Sequence, residues 1–458
     1  MDIAQTSSLT GFAEAHARPT DKKNRIVLLD AIRGVAICGI LLMNIPYFGL
    51  SGYLVEDPRV GNELGSALNM RTWFIVQFIM EGSMRGLFSC LFGAGAMLLI
   101  SRLERLNQGL KPADIYIRRL IWLLVFGLIN GYVLNWAGDI LYHYAIVGFF
   151  LFPFRLAKPR LVMGLVITFI VIGMLHSWIQ KRAAFSTRAK GIVAMQLQAR
   201  NQSLSEEQKG DLEKWKGYQE DHDPTANREK AAKETAAFRG NYVSVWKANA
   251  KWTTLFETTK FHGGMFYDII IFMLLGIFLY KTGILTGQKS TGFYVALMVV
   301  GYTFGIGWGI MQKNQVLQSN FDYFRFWMNK TIPVSLYQLH RLGTTLGHMS
   351  LIILLWNSGW FKWLLIPFSK MGQMAFSNYL MQSIICGLFF YGYGLGYFGK
   401  LQRYELYYVV LAVWAFEMVF SVIWLRYCRF GPFEWLWRSL TYWEWQPLQR
   451  EKIEGVTV

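Results

Sequence analysis

Apolar residues in this chain fall in long uninterrupted runs, not in the narrow periodic stripes of a soluble helix. The first run, 26–50, follows a polar arm ending in Arg18, Lys22, Lys23 and Arg25. It exceeds a signal-peptide core and lacks an A-x-A cleavage site, so it predicts a retained membrane span. Further runs lie at 72–100, 117–135, 138–154, 161–180, 265–282, 291–312, 332–356, 372–392 and 404–426. Each is near the ~20 residues a bilayer requires, although 138–154 is short. The pattern predicts an all-α polytopic integral membrane protein with about ten transmembrane helices.

Two stretches interrupt the pattern. Residues 182–260 are polar, rich in Lys, Glu, Gln and Ala, with Pro224 near the middle. They predict two or three surface helices inserted between the fifth and sixth spans. Residues 313–330 mix aromatics with charges and read as an interfacial helix. The chain thus divides into an N-terminal arm (1–25), a first membrane bundle (26–181), the insertion (182–260), a second bundle (261–428) and a tail (429–458). No internal repeat is visible, so an inverted-duplication transporter gains no support.

Composition adds orientation. Of 458 residues, 53% are hydrophobic and 16% charged, with mean hydropathy +0.26, whereas soluble domains carry roughly 25% charged residues. Eighteen Trp, 34 Phe and 23 Tyr suit interfacial aromatic belts. The net charge of +17 sits between apolar runs and forms no reading surface, which excludes a nucleic-acid partner. If the N-terminus is inside, the inside loops hold Arg102, Arg105, Lys111, Arg118 and Arg119, then Arg155, Lys158 and Arg160, while 131–139 carries no Lys or Arg. The positive-inside rule then predicts both termini cytoplasmic and the insertion outside. Cys38, Cys90, Cys386 and Cys428 lie far apart in or beside apolar runs and read as small apolar fillers. Without HExxH, GxSxG, a Walker loop or a Cys/His cluster, no metal is expected.

Candidate chemistry rests on polar groups inside apolar runs, where they are costly. Asp139 and His143 stand four residues apart and share a face if helical, with Asn130 across a short turn. His143 can act as a general base with Asp139 orienting its ring, or the group can be a satisfied structural cluster. Asp30 and Arg33 form either an interfacial pair that sets helix depth or a cationic anchor for a phosphate-bearing ligand. Glu81 and Arg85 have the spacing of an intrahelical ion pair, structural or functional. Ser89, Gly93, Ala94 and Gly95, and separately Gly343 and Gly347, predict close helix approach. Asn378 and Gln382 predict interhelical hydrogen bonds, and His262 a loop histidine at the surface. Arg341 needs a partner that no sequence argument names.

Four stretches carry a family resemblance: Leu29-Asp30-Ala31-Ile32-Arg33-Gly34; Leu87-Phe88-Ser89-Cys90-Leu91-Phe92-Gly93; Gly138-Asp139-Ile140-Leu141-Tyr142-His143; and a C-terminal half containing Gly372-Gln373-Met374-Ala375-Phe376-Ser377-Asn378 and Gly431-Pro432-Phe433-Glu434. With them the chain resembles the YeiB-like family of bacterial membrane proteins (domain of unknown function 418), apart from the arm and the insertion. The Asp-x-x-Arg-Gly opening is also similar to that of the transmembrane acyltransferase superfamily. That wider resemblance implies transfer of an acyl group from cytoplasmic acyl-CoA, across a bacterial inner membrane, to a small-molecule or glycan acceptor outside. Arg33 and Asp30 would then serve the donor, Glu81 and Arg85 the channel between donor and acceptor, and His143 with Asp139 the acceptor. The family pattern places a histidine near the end of the third span, where this chain has Asn130. If a histidine is essential, either His143 substitutes for it or the chain lacks the activity. A transporter or exporter with a polar solute path, and a non-catalytic scaffold, are the alternatives; oligomerisation is left open.

Overall fold

A backbone in hydrocarbon must satisfy its own hydrogen bonds, and the residues described here do so almost wholly as helices. The computed structural model describes residues 26–61, 63–106, 109–322, 326 and 337–450. The elements begin with α1 (Val27–Gly49), α2 (Gly52–Glu56), α3 (Ala67–Ile75), α4 (Ser83–Leu106), α5 (Lys111–Leu128) and α6 (Leu141–Phe149). The very long α7 (Pro159–Ala199) leads to α8 (Glu206–Asp221), α9 (Pro224–Phe238) and α10 (Tyr242–Leu255). Then come α11 (Phe266–Lys281), α12 (Thr291–Gln318), α13 (Tyr337–Asn357), α14 (Lys362–Gln373), α15 (Ala375–Phe390), α16 (Leu406–Tyr427) and α17 (Pro432–Tyr442). Among the described residues, six helical runs are long and apolar enough to cross a membrane: α1, α4, α7, Tyr242–Lys281, α12 and α16.

The centre of the bundle is α11, where residues 268–277 are all buried. A helix that is apolar on every side belongs in the middle. By contrast, α7 leaves Ile167, Val171, Leu175 and Ile179 exposed and α16 leaves Leu411, Val419 and Ile423 exposed, which is how a lipid-facing helix looks. Small residues set the closest crossings. A Cβ on Gly93 would lie 2.0 Å from the Met273 carbonyl oxygen, and one on Gly276 1.9 Å from that of Cys90, so α4 and α11 touch backbone to backbone. Gly34 and Gly372 do the same for α1 and α14. Gly343 also packs as its spacing predicts, its Cβ position 2.8 Å from the Gly301 carbonyl oxygen on α12.

Several expectations change. The run 72–100 is not one helix: it breaks at Glu81-Gly82, and α4 begins at Ser83. Gly82 has φ +70°, and a Cβ there would lie 2.1 Å from Arg341 Nε, so only glycine fits comfortably. The expected span 138–154 yields only the nine-residue α6, too short to cross alone. The insertion is not set off by loops, since α7 runs through residue 182 and α10 continues by wide turns at Phe256–Met265 into α11. Of the expected interfacial helix 313–330, the first residues belong to α12 and most of the rest lie outside the described residues. Two helices escape a hydropathy reading, α14 and α17. Both are amphipathic, and α17 is held by Glu434, which accepts from the Phe376 and Ser377 amides at 2.8 and 3.1 Å.

Candidate functional site

A cavity of about 260 Å³ lies where the insertion meets the bundle. Its wall takes Asn44 from α1, Glu81 from the break before α4, Arg85 from the first turn of α4, and Trp136–Ile140 from the loop between α5 and α6. Glu234 and Trp252 of the insertion and Tyr391, Arg403 and Tyr407 near α15 and α16 complete it. The insertion is tied down by polar contacts. Asn249 Nδ2 donates to the Gly131 carbonyl at 2.8 Å, Arg239 Nε to the Phe398 carbonyl at 2.7 Å, and the Gly392 amide to the Phe238 carbonyl at 2.8 Å. Glu234 accepts from Ser51 Oγ, from the Gly52 amide at 3.2 Å and from Trp252 Nε1 at 2.5 Å.

Local sequence explains how Asp139 reaches this wall. The last turn of α5 widens over Ile129–Val133, turning Asn130 inward. The chain then reverses through Asn135, whose φ of +57° falls in the region asparagine tolerates. Asp139 ends the loop and caps the start of α6: Oδ2 accepts from the Tyr142 amide at 2.8 Å, where the helix dipole favours a negative charge. Oδ1 accepts from Asn130 Nδ2 at 2.8 Å and Tyr379 Oη at 3.4 Å. Gly127 makes the approach possible, because a Cβ there would lie 2.4 Å from the Tyr142 nitrogen.

His143 differs from its expected role. It is buried, its Nδ1 lies 2.9 Å from the Asp139 backbone carbonyl, and its Nε2 lies 3.2 Å from that of Phe256. The Asp139 carboxylate does not orient the ring, and neither ring nitrogen faces the cavity with a free lone pair. Asn130, by contrast, does meet Asp139.

The expected set Arg33, Asp30, Glu81 and Arg85 is divided. Arg33 Nη1 pairs with Asp30 at 2.9 Å near the start of α1. Glu81 and Arg85 stand in the cavity wall, beside the second half of α1, since Met84 touches Gly39. Six residues of helix separate Gly39 from Arg33, about 9 Å. The partner of Arg341 is Asp268, at the start of α11. Arg85 Nε also reaches Asp268, at 3.3 Å, and its Nη2 lies 3.9 Å from Glu81, which accepts from Tyr337 Oη at 2.7 Å. Arg341 completes its contacts with the Gly82 carbonyl at 2.7 Å and the faces of Phe272 and Tyr337. Two acids and two arginines thus form one self-neutralising network behind the cavity.

The charge of the wall follows. Its two cations are committed, Arg85 to that network and Arg403 to Glu63 at 2.7 Å. Asp139 and Glu234 are held by neutral donors alone, and no cation pairs with them among the described residues. With Trp136, Trp252, Tyr391 and Tyr407 around them, the cavity combines two carboxyl groups, neither paired with a cation among the described residues, with aromatic faces, surroundings that can receive an ammonium group. No cluster of His, Cys, Asp and Glu able to hold a metal occurs among the described residues. Sequence reasoning missed Glu234, hidden in a polar stretch full of similar residues, and Tyr379 and Arg403. It also passed over Glu417, although a lone acid inside 404–426 was a visible signal.

Fold and site define a helical membrane protein with a cavity lined in part by its polar insertion. The family model for a protein of unknown function, DUF418, matches residues 279–444. The chain is similar to the uncharacterised protein YxaH of Bacillus subtilis (strain 168), 32% identical over 446 residues that cover 95% of this chain and 98% of that one. It is likewise similar to uncharacterised YeiB of Escherichia coli (strain K12), 31% identical over 435 residues, 91% and 96% of the two chains. The protein belongs to the YeiB-like, DUF418 family of membrane proteins. No solved structure matches it.

Proposed function

We propose that the protein is a membrane acyltransferase whose cavity binds an amine-bearing acceptor, with Asp139 as the group that engages the amine. The observation that carries this reading is the charge imbalance of the wall, where Asp139 is buried against neutral donors while both wall arginines are already paired. The donor is a cytoplasmic acyl-CoA, and Arg33, paired with Asp30 but 28% exposed at its side chain, is the cation that would meet its phosphates. Asp139 takes one proton from the bound ammonium, which frees the nitrogen lone pair to bond to the thioester carbonyl carbon, and Asp139 later returns that proton to water. The C–S bond breaks, and the second proton of the attacking nitrogen passes to the departing thiolate. His143 has a positioning role, fixing the Asp139 backbone through its ring. In this reading both termini are cytoplasmic and the insertion faces outside, so a cysteine at exposed Lys216 labels from outside in intact cells.

A second reading, a solute carrier, draws on the network of Glu81, Arg85, Asp268 and Arg341 within the bundle, since charges there often line a solute path. One experiment separates the two. Full-length protein in nanodiscs is incubated with acetyl-CoA and a panel of primary amines, and thiol release is followed. Acyl transfer reduced about 10²–10⁴-fold by Asp139→Asn supports the enzyme. No thiol release with any amine, together with uptake of the same amines into proteoliposomes, overturns it in favour of the carrier.

A further inference from the structure

Away from the cavity, one carboxyl has no counterpart. Glu417 lies about midway along the 22 residues of α16, and it is 0% exposed. Its Oε2 accepts a single hydrogen bond, 3.1 Å from Gln382 Nε2 on α15, and its Oε1 has no hydrogen-bond partner. The same Gln382 amide reaches back 3.5 Å to the Ile37 carbonyl of α1. One turn along both helices, Asn378 Nδ2 donates to Ser421 Oγ at 3.1 Å, so α15 and α16 share a short polar seam. The titratable groups that face Glu417 are Cys38 from α1 and Cys386 from α15, thiols that cannot supply a positive charge. No basic side chain of α14 or any other neighbour pairs with it among the described residues.

An ionised carboxylate at this place has no cation among the described residues, a single amide donor and no exposure to bulk solvent. Each lost interaction is costly at the centre of a membrane-spanning helix. A protonated carboxyl removes that charge. We infer that Glu417 is a proton-binding site, a buried carboxyl that carries a proton at neutral pH in the middle of the α1–α15–α16 seam. The site connects to the cavity through its two helices. Ile40, one turn beyond Ile37, lines the cavity floor, as does Tyr407, whose hydroxyl donates to the Leu42 carbonyl at 3.3 Å. Loss of the proton to water would leave a bare negative charge between α1 and α16, below that floor. This inference stands independently of the acyl-transfer reading.

Infrared difference spectroscopy of the full chain in nanodiscs tests it. At pH 7 the wild type minus Glu417→Gln spectrum is expected to show one neutral-carboxyl carbonyl stretch that shifts in heavy water and bleaches as the pH is raised. Gln382→Met, which removes the single hydrogen bond to that carboxyl, should move the same band to higher frequency and supplies the assignment if Glu417→Gln does not fold. A carboxylate band in place of the neutral one at pH 7, or a neutral band untouched by either substitution, overturns the proposal.

Discussion

Two buried acids, Asp268 and Asp139, stand close to one cavity and are treated in opposite ways. Asp268 is gripped by Arg341 and Arg85, and its charge is cancelled inside the bundle. Asp139 is surrounded by an amide side chain, a backbone N–H and a tyrosine hydroxyl, which satisfy its oxygens and leave its charge uncancelled. The first arrangement holds three helical segments together, because Arg341 also binds the Gly82 carbonyl at the break before α4. The second leaves a carboxyl that the proposed acceptor amine would engage. In a low-dielectric interior the number of hydrogen bonds does not separate structure from function; the presence or absence of a counter-charge does.

Breaking the cancelled pair should have the largest effect. Arg341→Met leaves Asp268 short of its principal partner, and about 3–5 kcal/mol of stability should be lost, read as early heat-induced loss of the monodisperse peak in detergent. Adding Asp268→Leu should restore part of that loss, because the uncompensated charge leaves with it. If the double variant is less stable than the single one, the pair is not the unit described.

Asp139→Asn attacks the other side of the comparison. It is nearly isosteric, so the fold should persist with an unchanged melting midpoint, while acceptor chemistry falls about 10²–10⁴-fold. Equal losses of stability and activity would make Asp139 another structural acid. Gly82→Ala comes next: it demands a left-handed alanine and displaces Arg341, which should cost about 1–3 kcal/mol in the same melting assay.

The smallest effect belongs to Glu234, in the insertion. Burial pushes its carboxyl above the ordinary range, against hydrogen bonds from Ser51, Trp252 and the Gly52 amide that pull it down. A folded-state value above the unfolded one means that the folded chain binds the extra proton. The stabilisation is complete below the unfolded value of about 4.3 and is lost as pH rises through the folded value. Glu234→Gln should flatten that part of the stability–pH curve and leave the rest unchanged.

Hydropathy made α1, α4, α7, α12 and α16 legible, since lipid imposes length and composition on each helix separately. It failed where a neighbour decides. The break at Gly82 is set by the approach of Arg341 from 259 residues away. The short α6 survives because Gly127 and Asp139 receive its first turn, and α14 and α17 are packed by faces too polar to read as spans. At the site, the motif around Asp139 and Asn130 was visible and the structure joins the two. The role given to His143 was not recoverable from spacing, because the carbonyls that cover its ring come from the loop start of α6 and from Phe256, 113 residues on. The partner of Arg341 was unreadable for the same reason: ion pairs between helices leave no periodic trace.

The measurement that tests the central claim most directly is native mass spectrometry of the full chain released from nanodiscs, comparing wild type with Asp139→Asn. The account predicts a bound small molecule bearing an amine in the wild type, displaced by added primary amines and absent from Asp139→Asn at equal folding. An anionic ligand, or an amine retained undiminished by Asp139→Asn, would contradict it.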